Sequence, residues 1–147
     1  MQVTTIENLK DTTGLMWDRL INVFQDIFRA RGLNGEDVDI ILVSDKYMKP
    51  LNKTYKKRTG TANVLTFDLS DEFTPPDSLS GEIYVSLNSA QKQAQKSGIS
   101  VGEEVLRLII HGMLHLTGMT HSTDKTMRQM EEETDRLLQN LKKVSDL

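Results

Sequence analysis

Between residues 13 and 31 the apolar side chains Met16, Leu20, Phe24, Ile27 and Phe28 recur at intervals of four, four, three and one. That spacing places them on one stripe of a helix. Thr12 or Thr13 is the expected cap and Gly32 the expected stop, and the aromatic residues Trp17 and Phe24 read as core rather than as a ligand box. The pattern changes at residues 37–44, where the β-branched run Val-Asp-Ile-Ile-Leu-Val-Ser suits a central strand. A helix is expected over residues 45–55, started or interrupted by Pro50. Residues 63–69 and 80–87 read as two further strands, joined by a polar loop over 70–79 that contains Pro75 and Pro76. Residues 3–9 read as a weakly apolar edge strand.

Three more helices follow from the polar and apolar pattern. Asn88 or Ser89 is expected to cap a short polar helix that stops at Gly98. Ser100 with Glu103 forms a capping box that opens the next one. Its Val105, Leu106, Leu108, Ile109, Met113 and Leu116 cover most of the circumference, which predicts a buried central helix. Residues 123–143 carry Met127, Met130, Leu137, Leu138 and Leu141 on one stripe, opposite a charged face. The acidic trio Glu131, Glu132 and Glu133 reads as solvated rather than catalytic. The sum is an α+β fold, a small mixed sheet of about four strands packed with about five helices.

Composition narrows the class. A chain of 147 residues is expected to form one domain, residues 1–147, that buries roughly two-thirds of its unfolded surface. A net charge of −3 gives no global attraction to nucleic acid, so any such partner must meet a local basic patch. One exists: residues 46–58 hold Lys46, Lys49, Lys53, Lys56, Lys57 and Arg58 and no acidic residue. A charge run is ordinarily a solvated face, but one so one-sided in an acidic chain is the best candidate for phosphate contact. No stretch reaches the roughly 20 apolar residues of a membrane span, and no basic leader precedes an apolar run, so a cytoplasmic protein without membrane partners is the expectation.

The chain has three histidines and no cysteine. All three lie in one stretch, His111, His115 and His121. Residues four apart stack on one helical face, so His111 and His115 can point two imidazoles at one ion. A continuing helix would carry His121 away from them, but Gly118 can adopt the left-handed conformation that ends helices and turn the chain back. Three neutral imidazoles suit zinc or another divalent transition ion and leave a fourth position open, where coordination would bring a water's pKa toward neutrality. The alternative is three ordinary polar residues on a buried helix. Their clustering, the intervening glycine and the absence of histidine elsewhere favour the metal. The spacing is also that of the extended zinc-peptidase signature, yet the glutamate that such enzymes place after the first histidine is here Gly112.

Several motifs then resemble one family, the YbeY-type metal-dependent endoribonucleases of ribosomal RNA maturation. The family's His-Gly-x-Leu-His-Leu-x-Gly-Tyr-Asp-His is similar to His111-Gly112-Met113-Leu114-His115-Leu116-Thr117-Gly118-Met119-Thr120-His121. Its Leu-Asn-x-x-Tyr-Arg and Thr-Asp/Asn-Val-Leu-Ser-Phe resemble Leu51-Asn52-Lys53-Thr54-Tyr55-Lys56 and Thr61-Ala62-Asn63-Val64-Leu65-Thr66-Phe67, and its Gly-Asp-Ile strand resembles Gly81-Glu82-Ile83. The resemblance implies a zincin-like arrangement with the mixed sheet against the histidine helix, and one zinc or related ion per chain on His111, His115 and His121. It implies a single-strand-specific endoribonuclease acting on a ribosomal RNA precursor at the small-subunit 3′ end and in ribosome quality control, with the ribosome or small subunit as partner. Lys56, at the position of the family's phosphate-assisting arginine, and His111 are the candidate catalytic residues, and Lys49, Lys53, Lys57 and Arg58 of the basic run are the candidate RNA contacts.

Two departures from the pattern bear on the chemistry. Lysine stands at position 56 where the family has arginine, a point charge in place of a bidentate fork. Met119 and Thr120 replace the family's Tyr-Asp, which removes a carboxylate from beside His121. Two other functions stay open on the sequence alone: a non-catalytic metal-binding ribosome assembly factor, and a metal-dependent hydrolase of a small or peptide substrate.

Overall fold

In chain order the elements are β1 (Val3–Thr5), α1 (Trp17–Arg29), β2 (Asn34–Val43), α2 (Asp45–Lys56), β3 (Val64–Asp68), β4 (Ser78–Ser86), α3 (Leu87–Ser97), α4 (Val101–Leu116) and α5 (Asp124–Ser145). This structure, a computed structural model, describes residues 1–6, 8–57 and 62–145, with residues 144 and 145 described by backbone alone. The described residues form the expected α+β architecture.

The strands form one mixed sheet in the order β1-β2-β4-β3. β1 and β2 pair in parallel, as do β2 and β4, and β3 runs antiparallel to β4. Alternation along β2 divides the core between the two faces of the sheet. Val38, Ile40 and Leu42 join Ile83 and Val85 of β4 on the face covered by α1, α4 and α5, whereas Ile41 and Val43 meet Met48 of α2 and Leu65 on the other. Strands buried on both sides read as continuous apolar runs, which is why residues 37–44 show so little polar alternation.

α4 is the central helix the sequence predicts. All six of its named apolar residues are buried, and it packs against α3, α5, β3 and β4. Ser100 caps it by accepting from Glu103 N at 3.1 Å. The reciprocal half of the capping box gives way to a tertiary contact, since the Glu103 carboxylate pairs with Lys142 of α5.

Several local expectations shift. α1 begins four residues after Thr13, with Met16 at its N-cap and no side-chain bond there. Thr13 closes the preceding turn instead, accepting from Leu15 N at 3.2 Å and donating to Asp11 Oδ1 at 2.6 Å. The cap of α3 is Ser86, the last residue of β4, which accepts from Ser89 N. Asn88 and Ser89 bond to Asp45 at the start of α2. α2 starts at Asp45, capped by Ser44, and runs through Pro50. Met16 and Met127 are exposed rather than core, and Glu133 is partly buried between Arg31, in the turn after α1, and Arg136. No helix of the described residues is long and apolar enough to cross a membrane.

Candidate metal centre

His111 and His115 occupy the last two turns of α4, and the end of that helix determines where the third histidine goes. Gly118 takes φ +102°, Gly118 N donates to His115 O at 3.0 Å and Met119 N to Leu114 O at 3.1 Å. These are the paired bonds of a left-handed helix stop. Met119 then packs against the core cluster that contains Leu114, and the chain doubles back.

His121 thereby returns to the first two histidines. The ring centroids stand 4.8 Å (His111 to His115), 4.8 Å (His115 to His121) and 5.6 Å (His111 to His121) apart, and one nitrogen from each lies within 4.8 Å of the others. Three imidazoles bound to one tetrahedral ion at about 2.0–2.1 Å would hold their centroids about 5 Å apart. The ring centroids are thus close to the spacing a single ion requires, and the three histidines form a group able to hold one.

Electrostatics point the same way. The His111 pKa is pushed down to about 4, first by burial and then by the neighbouring His115, His121 and Arg107. His115 is lowered by burial and by His121, a hydrogen bond to the Met119 main chain works in the opposite direction, and Lys56 adds to the lowering. Both imidazoles are therefore neutral at pH 7, with lone pairs available to an ion. Arg107 lies one turn before His111 on the same helical face and is paired with the buried Glu104; the i, i+4 spacing was the signal for it.

The histidines line a cleft of about 370 Å³ together with Lys56, Val64, Leu65, Thr66, Asp68 and Leu116. One wall is β3, the edge strand of the sheet. Lys56, from the last turn of α2, donates to Thr66 O at 3.1 Å and stands 5.1 Å from the centre of the Phe67 ring. Of the described basic residues singled out from sequence, Lys56 is the one that lines the cleft. Lys49 and Lys53 are exposed on α2, on the same helical face as Lys56. Lys57 caps that helix with φ +55°, and Arg58 and Thr61 lie outside the described residues. Asp68, which the sequence reading passed over, is the carboxylate that lines the cleft among the described residues. Its Oδ1 accepts from Ser70 N at 2.9 Å.

The position after His111 has no room for an acid. A Cβ on Gly112 would stand 2.7 Å from Ile83 Cγ2 and 3.1 Å from Thr66 Oγ1, so the glycine is where the helix backbone lies against β3 and β4. The general base of a peptidase of this spacing is excluded by packing as well as by sequence.

Residues 5–142 match the protein family described as Endoribonuclease YbeY. The Endoribonuclease YbeY of Aquifex aeolicus is 37% identical over 106 residues, which span 69% of this chain and 70% of that protein. That of Carboxydothermus hydrogenoformans is 33% identical over 143 residues, 95% of this chain and 97% of the relative. Among solved structures, the solution structure of TM1509 from Thermotoga maritima matches with a TM-score of 0.66 at 26% identity, covering 97% of this chain and 89% of that one.

Proposed function

The chain belongs to the Endoribonuclease YbeY family, and on that premise we propose that it is a zinc-dependent endoribonuclease that cleaves single-stranded RNA, its ion held by His111, His115 and His121. The observation that carries this reading is the grouping of three imidazoles, two of them held neutral, in a cleft that Lys56 also lines. His111, His115 and His121 would hold the ion, which would supply Lewis acidity toward a phosphoryl oxygen and lower the pKa of a water. The protein's own side chains supply the rest. Lys56, anchored on the β3 edge through Thr66 O, binds a non-bridging phosphate oxygen and offsets the charge that develops in the transition state. Lys49, Lys53 and Lys57 hold flanking phosphates along α2. Asp68, which lines the cleft, accepts the proton that the attacking hydroxyl gives up, the task that position 112 cannot perform.

We propose further that the substrate is a ribosomal RNA precursor in the cytoplasm, matured at the small-subunit 3′ end or removed in ribosome quality control, with the small subunit as partner; the endoribonuclease family and the motif resemblance are what support this reading. Replacing Lys56 with Ala should lower single-turnover RNA cleavage about 10- to 100-fold at unchanged zinc content, and Lys56→Arg should keep activity. Unchanged cleavage by Lys56→Ala would remove this residue from the mechanism.

A further inference from the structure

Four aromatic rings run across the outer face of the sheet toward the cleft. Tyr47 stacks on Tyr84 at 6.3 Å, Phe67 meets Tyr84 edge to face at 5.6 Å, and Tyr55 meets Phe67 edge to face at 5.5 Å. The first three are partly buried. Tyr55, the last, keeps 64% of its surface exposed, beside Lys56 in the final turn of α2. An exposed tyrosine at a helix end is ordinarily a lid over the apolar residues beneath it. Here Phe67 is already covered by Tyr84 and by the Lys56 ammonium, and most of the Tyr55 surface remains open next to a cation that lines the cleft.

We propose that Tyr55 is a stacking platform for one unpaired nucleobase of a single-stranded RNA whose neighbouring phosphate enters the cleft at Lys56. The inference rests on the ribonuclease reading and gives that site a basis for preferring single strands. Charge complementarity selects the occupant: Tyr55 is followed directly by Lys56 and Lys57, and no acidic residue falls within 46–58. An aromatic face beside lysines matches an exposed base and its phosphate, and every base has a face to offer. A duplex keeps its bases stacked on one another and has none free for Tyr55.

The test uses the full chain and a short single-stranded RNA carrying 2-aminopurine at one position, with fluorescence and anisotropy read by stopped flow before cleavage accumulates. Tyr55→Leu keeps an apolar cover on Phe67 but removes the aromatic face, and Tyr55→Phe keeps it. Far-ultraviolet circular dichroism checks that both variants fold. The expected result is that Tyr55→Leu weakens single-strand binding about 5- to 100-fold and abolishes the 2-aminopurine quench, while Tyr55→Phe retains both and duplex binding of Tyr55→Leu is unchanged. Wild-type affinity and quench in Tyr55→Leu would overturn the platform while leaving the ribonuclease reading intact. Failure of the unaltered protein to bind the single strand would overturn both.

Discussion

A methyl group at residue 112 would press on Ile83 and Thr66, the side chains through which β4 and β3 receive the histidine helix. Close-packed interiors do not absorb such an insertion freely. Gly112→Ala should therefore destabilise the fold by about 1–3 kcal/mol, measured as a lowered urea midpoint. Because the displaced backbone is that of the residue after His111, the same variant should hold zinc less tightly in a chelator competition. Neither effect would appear if α4 could lift off the sheet at no cost. The three histidines and Gly118 were legible as a site from spacing alone, since helix periodicity and a left-handed stop are local properties. Asp68 was not legible. It sits at the end of an edge strand, far from the histidines in sequence, and only the pairing of β3 with β4 brings it into the cleft.

At the scale of elements, the helices and strands followed from periodicity, while the caps shifted wherever a tertiary partner competed for the same side chain. Asn88 has the chemistry of a cap but bonds to Asp45 N at 2.9 Å, so Ser86 at the strand's end assumes the task. The start of α1 is fixed in the same way. Asp11 accepts from the Thr13 hydroxyl at 2.6 Å and from Trp17 Nε1 at 2.6 Å, which pins the helix to the loop before it. Burial raises the Asp11 pKa, but these hydrogen bonds outweigh it and leave the carboxyl below its ordinary value of 3.8. A carboxyl depressed by the fold contributes stability that is complete above the unfolded value and lost as pH falls through the folded one. The protein has a single tryptophan, so Trp17 fluorescence should hold steady from pH 7 down to about 4 and change only below that. Asp11→Asn should abolish the step. A transition centred at pH 5 or above would show that Asp11 does not hold the helix start.

For the molecule as a whole, an acidic chain directs its one strongly basic segment to α2, on the opposite face of the sheet from α4, and side chains from both helices line one cleft at the β3 edge. The basic run and the histidine motif were each visible in sequence, but their union at Lys56 depends on β3 lying at the edge of the sheet in the order β1-β2-β4-β3, which no local pattern encodes. Family membership then joins the two halves in one chemistry. The most direct test is cleavage of a single-stranded ribosomal RNA precursor by the purified protein, alone, with chelator, and with zinc restored after chelation, beside His115→Ala. Cleavage that chelator abolishes, zinc restores and His115→Ala lacks is the predicted result. Cleavage indifferent to chelator, or none from protein carrying one zinc per chain, would contradict it.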